Sequence, residues 1–256
     1  MRRLLTIALM LLCSHAPAAT ETLWASGVTE KTGWRDYNKN FNGKDDRQCW
    51  AITAANLIDW WQSHHTTKLP ADTPQGEDIL RVFTRSFAND GSDPDEGISW
   101  WFSGEYKPGR ADCAALQPNC PGGYLKPLLP SPKGMGTLLS ALRGEKVNAR
   151  TASAALIDGA QRGAAFWIGV TGSMHDGRST MHSLNVWGVC CETDADGTRR
   201  LSGIWIADSD DRTTGLCYVP LKVEKDALLF HCPEHPIYGL IPRIVVDTIS
   251  TLRLTP

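Results

Sequence analysis

The sequence predicts an α+β fold with two lobes, in which an N-terminal helical part precedes a C-terminal antiparallel sheet. Residues 49–62 contain no Gly or Pro and carry apolar side chains at helical spacing, and residues 77–88 and 152–162 have a similar helical pattern. From residue 164 the pattern changes to alternating or continuous apolar runs, which are typical of strands. Helices followed by strands favour α+β over an alternating α/β arrangement.

The first residues have the pattern of a secretory signal peptide. Arg2 and Arg3 precede an apolar run over residues 4–12, and small residues then offer a cleavage site after Ala18 or Ala19. The run is too short to span a bilayer. We therefore expect a signal peptide over residues 1–18, one domain over residues 19–256, and a secreted or periplasmic protein with no membrane anchor.

Charge and composition exclude one class of partner. The formal net charge of −2 falls to −4 once Arg2 and Arg3 are removed, so nucleic acid is not a predicted partner. Ten tryptophans in a chain of this length are typical of a well-packed globular domain and not of a disordered one. We expect a monomer.

The cysteine count predicts one free thiol. Removal of Cys13 leaves seven cysteines, at positions 49, 113, 120, 190, 191, 217 and 232. An exported chain tends to pair its cysteines, so six are expected in disulfides and one is left over. Cys113 and Cys120 flank a short loop and are close enough in sequence to pair, whereas the connectivity of the other four stays open.

Two possible metal sites are weaker than their alternatives. Residues 231–235 read His-Cys-Pro-Glu-His and could bind zinc together with Cys190 and Cys191, but disulfides are the more common fate of cysteines in an exported protein. Residues 208–211 lack the glycine and the distal glutamate of a calcium-binding loop. We therefore expect no metal and no cofactor.

Cys49 is the candidate for the free thiol. It begins the apolar helix predicted over residues 49–62, directly after a polar, turn-prone segment. The positive field and free N–H groups of a helix N-terminus lower the pKa of a cysteine and favour the nucleophilic thiolate. Taken alone, this position also suits a buried structural cysteine of a core helix.

A predicted hairpin brings a histidine beside aspartates. Residues 182–191 and 201–208 are strand-like, and the segment between them is rich in Asp, Gly and Thr. In an antiparallel hairpin, the residue numbers of paired positions have a constant sum. A two-residue turn at residues 196–197 makes this sum 393, and a five-residue loop over residues 194–198 makes it 392. His182 then faces position 210 or 211, with Asp208 one diagonal step away. A carboxylate there would orient the imidazole and stabilise its cationic form.

Two blocks of the chain resemble the streptococcal IdeS/Mac immunoglobulin-degrading cysteine peptidases. The matching residues are Gly33-Trp34-Arg35-Asp36, Lys39 to Asp46, Cys49 and Trp60-Trp61 in the first block, and His182, Asn185, Trp187-Gly188 and Asp208-Ser209-Asp210 in the second. This family is papain-like, so the resemblance implies a papain-like two-lobe fold. It also implies a protein substrate, for which host immunoglobulin is the family's own example.

Carried over by position, the resemblance makes Cys49 the nucleophile and His182 its general base and acid. Asp208 orients His182, Asp210 is a supporting carboxylate, and Lys39 helps to form the oxyanion hole together with the Cys49 N–H. The residue pattern alone does not choose Lys39 over Lys44, and Lys44 suits a solvated turn better.

The predicted function is therefore that of a secreted Cys-His-Asp endopeptidase, active at neutral or mildly acidic pH. Two alternatives stay open: an exported amidase or transferase acting on cell-wall peptides, and a catalytically silent secreted binding protein.

Other residues have ordinary structural interpretations. His64 and His65 follow the predicted end of the first helix and are expected at the surface. His175 lies in a predicted loop near His182 and is a weaker candidate for substrate contact. Trp100 and Trp101 fit either the wall of a peptide cleft or the core.

Overall fold

The computed structural model describes residues 19–40, 45–108, 116–129, 134–173, 179–211, 213–231 and 238–254. The predicted signal peptide, Lys44, Cys113, His175, Cys232 and His235 lie outside these residues. Within the described part of the chain, no helix has the length and apolar character needed to cross a membrane.

The chain is helical in its first half and strand-rich in its second half. The helices are α1 (Cys49–His64), α2 (Glu77–Ser86), α3 (Pro94–Ser103), the single turn α4 (Met135–Leu138) and α5 (Ala149–Gln161). The strands are β1 (Ala19–Trp24), β2 (Leu139–Arg143), β3 (Ala165–Ser173), β4 (Ser179–Thr193), β5 (Arg199–Ala207), β6 (Cys217–Glu224), β7 (Ala227–Phe230) and β8 (Arg243–Leu252).

Six of these strands form a closed antiparallel barrel, so the predicted papain-like two-lobe fold is wrong. The ring runs β4-β3-β8-β7-β6-β5 and closes where β5 pairs with β4. Outside the ring, β1 pairs with the C-terminal half of β4, and β2 pairs with β8. The strands therefore make no separate open sheet opposite a helical lobe.

Local irregularities accompany this closure. The β4–β5 register shifts twice, between Val186 and Gly188 and between Cys190 and Cys191, and the β3–β8 register shifts once, between Gly169 and Val170. A β-bulge bends the strand that contains it and increases its twist, which is what a sheet needs in order to curl back on itself. Strand identity follows from the apolar pattern, whereas closure depends on pairings between distant segments.

The barrel interior is apolar and one of its ends is covered by a helix. Alternate residues of the strands point inward, such as Phe166 and Ile168 on β3 and Leu184 and Val186 on β4. Helix α5 contacts β3, β4, β5, β7 and β8, and its Leu156 belongs to the same buried cluster. Because a helix on the outer wall could not reach five of six strands, α5 lies across one opening, near the start of β3.

Helices α1, α2 and α3 form a layer on the outer surface of the barrel. Their tryptophans and phenylalanines share one buried cluster with the outward-facing residues Trp167 and Trp187 of β3 and β4. The sequence allowed Trp100 and Trp101 to lie either in the wall of a cleft or in the core. Both are almost completely buried in this cluster, so they belong to the core. The layer places the start of α1 beside the barrel opening remote from α5.

Two local predictions need correction. The sequence pattern also predicts a helix over residues 137–142, but α4 ends at Leu138 and β2 begins at Leu139. The polar run over residues 89–96, rich in Gly, Asp and Pro, predicts a turn region, but α3 already begins at Pro94. The Asp93 side chain caps this helix by accepting a hydrogen bond from the Asp95 N–H at 2.9 Å, and proline suits a first helical position.

Candidate active site

Cys49 is the first residue of α1, as predicted, and it is half-buried. The preceding residue, Gln48, is fully buried and holds the helix start in place. Its amide donates to the carbonyls of Phe87 and Ala88 at 3.1 and 3.0 Å. The first N–H groups of a helix have no acceptor within that helix, so the thiol lies in a region of positive potential.

Buried polar contacts fasten α1 to strand β4. The Thr53 hydroxyl donates to the Ser183 carbonyl at 3.1 Å. The Asn56 amide donates to the side-chain oxygen of Asn185 at 2.9 Å, and Asn185 in turn donates to the Thr53 carbonyl at 3.0 Å. Since His182 directly precedes this stretch of β4, the contacts set the position of the thiol relative to the imidazole.

The hairpin register follows the prediction. Strands β4 and β5 pair with sums of 392 near the loop, 393 in the middle and 392 again at Asn185 and Ala207, and the connecting loop covers residues 194–198. This register leads to the predicted contact, in which His182 Nε2 lies 2.7 Å from Asp208 Oδ1. Asp208 is 1 % exposed, so this carboxylate is shielded from water.

Asp208 is held by two further donors. Its Oδ1 accepts the Asp210 N–H at 2.9 Å, and its Oδ2 accepts the Tyr238 hydroxyl at 2.8 Å. Tyr238 was missed by the sequence analysis. It lies in a short 3₁₀ turn after a segment without strand or helix pattern, and no local signal connects it with the histidine.

Lys39 and Asp210 form the second part of the site. Lys39 Nζ lies 2.6 Å from Asp210 Oδ1, and the Lys39 N–H donates to the Ser209 carbonyl at 3.0 Å. The same Asp210 oxygen is 3.9 Å from His182 Nε2. The structure thus brings all five predicted site residues together, including the lysine that only the family resemblance had selected.

The charges of the site perturb the two reacting groups in opposite directions. Burial raises the pKa of the Cys49 thiol, but the hydrogen bond and charge of His182, with the charge of Lys39, outweigh it and lower that pKa overall. Burial lowers the pKa of His182, yet the charge and hydrogen bond of Asp208 hold it well above its usual value. These shifts favour a thiolate beside an imidazolium.

Asp208 stays ionised in this arrangement. Burial raises its pKa, but the charge and hydrogen bond of His182, with the donors Asp210 N–H and Tyr238, bring the pKa to about 2. Because Asp208 engages Nε2 of His182, Nδ1 is the ring nitrogen left for the thiol. The order thiol, imidazole, carboxylate is the one that nucleophilic catalysis by cysteine requires.

The same residues are the ones that could hold a metal ion. Within the described residues, ligand atoms of His182, Asp208 and Asp210 all lie within 4.8 Å of one another. One imidazole and two carboxylates would suit a divalent transition metal. However, Lys39 forms an ion pair with Asp210, and both His182 and Tyr238 form hydrogen bonds with Asp208. A metal would have to replace these three interactions. The geometry favours the hydrogen-bonded arrangement.

The thiol and imidazole open onto a cleft of about 880 Å³. It runs between the start of α1, the segment before α3, and the rim of the barrel at β3, β4 and β8. Cys49, His182, Lys39, Asp210 and Tyr238 all line this cleft. A substrate bound there would meet the nucleophile and the cation on the same wall.

The other cysteines and histidines of the described part lie elsewhere. Cys120, Cys190, Cys191 and Cys217 do not line the cleft, and the disulfides expected of an exported chain stay a prediction. His64 Nδ1 is 2.8 Å from the Trp60 carbonyl, and His65 stacks on Trp61, both at the far end of α1. Neither histidine reaches the cleft.

Comparisons with known proteins add no identification. No protein-family model matches the chain, and no curated protein matches it.

Proposed function

We propose that the protein is a cysteine endopeptidase with Cys49 as nucleophile, His182 as general base and acid, and Asp208 as the group that orients His182. One observation carries the proposal: three residues from separate parts of the chain meet at the wall of a cleft, where His182 lowers the pKa of the Cys49 thiol and its Nε2 lies 2.7 Å from the buried carboxylate of Asp208. The papain-like fold implied by the family resemblance is wrong, so the proposal rests on this geometry. Family membership, an immunoglobulin substrate and secretion stay predictions.

The reaction follows from the positions of these groups. The Cys49 thiolate attacks the peptide carbonyl carbon, and the carbonyl oxygen becomes an oxyanion. The imidazolium of His182 gives its proton to the departing amine as the C–N bond breaks, which leaves a thioester. Water then gives a proton to the neutral His182 and attacks the thioester, and the released thiolate completes the cycle.

Lys39 is the candidate that stabilises the oxyanion. Lys39 lines the cleft, and its side chain is 4 % exposed. Its charge also contributes to lowering the pKa of the Cys49 thiol. A fixed cation in a shielded site stabilises developing negative charge without rearrangement of solvent. Asp210 holds this ammonium in place, so it acts as a positioning residue.

Selective labelling of the native protein tests the nucleophile directly. We expect iodoacetamide or an epoxysuccinyl inhibitor to modify Cys49 alone, and at a lower pH than an ordinary cysteine requires, because the pKa of its thiol is lowered. Mass spectrometry of the digested protein identifies the modified residue. Cys120 and Cys217 are internal controls, since they are partly exposed and contact the Ser86 hydroxyl and the Tyr218 carbonyl, respectively.

An unmodified Cys49 would contradict the proposal and favour a silent binding protein. Labelling of Cys49 no faster than that of Cys217 would contradict the activation of the thiol by His182. If Cys49 is labelled but protein substrates resist cleavage, assays with cell-wall peptides then distinguish an endopeptidase from an amidase or transferase.

Replacement of Lys39 by methionine is expected to lower kcat by roughly 10–10³-fold while KM changes little, because the lost interaction forms mainly in the transition state. Lys39→Arg keeps the cation and should retain more activity. Steady-state kinetics on one peptide substrate gives both constants. Arg47→Met is the matched control, since Arg47 also lines the cleft but is exposed and pairs with Asp90 at 3.1 Å. Equal losses in Lys39→Met and Arg47→Met would contradict a specific role for Lys39.

A further inference from the structure

The cations that line the cleft are already paired with carboxylates of the chain. The pairs are Lys39 with Asp210, Arg47 with Asp90, and Arg143 with Asp93. The cleft therefore offers an incoming peptide little uncompensated positive charge among its described residues. A carboxylate on its wall without such a partner would instead attract a cation from the substrate.

Asp247 is such a carboxylate. It lies on β8 at the cleft wall and is half-buried. Its hydrogen bonds come from two neutral hydroxyl groups, those of Thr171 and Thr248, the second at 3.0 Å. No lysine, arginine or histidine forms an ion pair with it in the described part of the chain. An ionised carboxylate has about four acceptor positions, so at least two stay available to a ligand.

A bulge in β8 directs Asp247 toward the cleft. Gly169 of β3 pairs with Thr248 and Val170 pairs with Val246, which leaves Asp247 as the extra residue. Val170 and Val246 belong to the buried interior of the barrel. Bulges change the direction of a side chain and occur often at barrel rims, and this one turns the carboxylate outward.

Gly169 accommodates this carboxylate because it has no side chain. A β-carbon at position 169 would lie 2.8 Å from Asp247 Oδ1 and 3.0 Å from the Thr248 β-carbon. Both distances are closer than ordinary contact, so any larger residue would press against the carboxylate. The absence of a side chain at Gly169 therefore lets the Asp247 carboxylate lie against the backbone of β3.

The cation on the neighbouring strand β2 is paired with other carboxylates. Arg143 of β2 lies opposite Thr248 in the β2–β8 pairing. Its guanidinium, however, binds Asp93 and Asp95 and lies 5.5 Å from the centre of the Trp167 ring. Arg143 is therefore held toward the start of α3 and leaves Asp247 uncompensated.

Asp247 lies within reach of a substrate that is bound at the thiol. His182 pairs with Val170, and Val170 pairs with Val246, so two strand spacings separate His182 from the residue before Asp247. This is roughly 10 Å between backbones, since neighbouring strands lie about 4.8 Å apart. An extended peptide advances about 3.3 Å per residue. A lysine or arginine one to three residues from the scissile bond can span this separation.

We propose that Asp247 is a specificity-determining residue that binds a lysine or arginine side chain of the substrate near the scissile bond. This inference rests on the proposed peptidase function and names its substrate class: peptides with a cationic residue close to the cleavage site. The ammonium or guanidinium would add a charge-assisted hydrogen bond to a carboxylate that the two hydroxyls already orient. Both flanks of the scissile bond are candidates for the preferred position.

A positional peptide series tests this inference. The first series consists of internally quenched peptides that each carry a single lysine. The lysine is placed in turn at every position from three residues before to three residues after the scissile bond. A second series carries norleucine instead, which has an alkyl chain similar to that of lysine but no charge. We expect lysine to raise kcat/KM roughly 10–100-fold at one position, and the advantage to shrink as salt increases.

Asp247→Asn is the decisive variant. It keeps a side chain of nearly the same size that can still accept one hydroxyl hydrogen bond, so its folding should be preserved. We expect it to lose most of the lysine advantage and to cleave norleucine peptides as the unaltered protein does. Asp194→Asn is the matched control because Asp194 lies in the β4–β5 loop, where it pairs with Arg200. A lysine advantage that persists in Asp247→Asn, or one that exists at no position, would overturn the inference.

Binding measurements separate this inference from the proposed function. Calorimetric titration of the same peptides into Cys49→Ala protein measures affinity without turnover. Tighter binding of the lysine peptide that disappears in the Cys49→Ala, Asp247→Asn double variant supports the role of Asp247 even if no peptide is cleaved. Absence of cleavage together with unlabelled Cys49 contradicts the peptidase, whereas equal binding of lysine and norleucine peptides contradicts the subsite.

Discussion

Replacement of Cys49 or His182 by alanine is expected to reduce peptide hydrolysis by roughly 10⁴-fold or more, because each variant removes a group that takes part in bond making. Cys49→Ala lacks the nucleophile. His182→Ala lacks the base that holds the thiolate and the acid that protonates the leaving amine. Initial rates on one peptide substrate, with circular dichroism and thermal unfolding to verify the fold, measure the effect.

The double variant makes this prediction sharper. Residues that act as one unit do not contribute additively, so Cys49→Ala combined with His182→Ala should be no slower than either variant alone. Cys217→Ala and His64→Ala are matched controls: both keep the catalytic residues and should retain full activity, since neither residue reaches the cleft. Full activity in Cys49→Ala would sink the proposed function.

The hairpin that positions His182 was predictable because its determinants are local. The loop over residues 194–198 contains the Asp and Gly residues that turns require, and it lies between two apolar strands. Once the loop is fixed, antiparallel pairing leaves little freedom for residues 182 and 208. The bulges near Val186 and Cys190 change the sum of paired residue numbers only between the two predicted values, 392 and 393.

The closure of the barrel was not predictable in the same way. Within the ring, β3 pairs with β8 although β4 to β7 lie between them in the chain, and outside the ring β1 precedes α1 yet pairs with β4. Such pairings depend on distant segments and leave no periodic pattern in either partner. The alternating pattern predicts strands but does not state whether the last strand of a sheet meets the first.

The residues of the candidate site also differ in whether local or distant features determine their positions. Cys49 and the His182–Asp208 pair follow from a helix start and a hairpin, which are local features. The choice of Lys39 depended on the family resemblance, because the contact with Asp210 joins segments about 170 residues apart. Tyr238 was missed for a related reason: its hydroxyl contacts Asp208 across 30 residues of the chain.

Asp208 offers the second large effect, because it combines two roles that substitutions can separate. Its carboxylate orients the His182 ring through Nε2, and its negative charge raises the pKa of His182. Asp208→Ala removes both roles and is expected to lower kcat by roughly 10²–10⁴-fold. Asp208→Asn can still accept the Nε2 hydrogen bond but lacks the charge, so we expect a smaller loss of about ten-fold at neutral pH.

The pH profile distinguishes the two roles. The thiolate–imidazolium pair exists above the pKa of Cys49 and below the pKa of His182, so the alkaline limb of kcat/KM reports the loss of the imidazolium proton. Asp208→Asn removes the charge that raises the pKa of His182, and the alkaline limb should therefore move to lower pH. The acidic limb, which reports Cys49, should move less.

Tyr238→Phe supplies the matched control for this profile. It removes the hydroxyl that donates to Asp208 Oδ2 but leaves the carboxylate charge and the bond to His182 in place. Its alkaline limb should stay close to that of the unaltered protein, with at most a modest loss of kcat. If Asp208→Asn and Tyr238→Phe give the same profile, charge is not the means by which Asp208 acts. In that case, orientation of the imidazole alone would account for the role of Asp208.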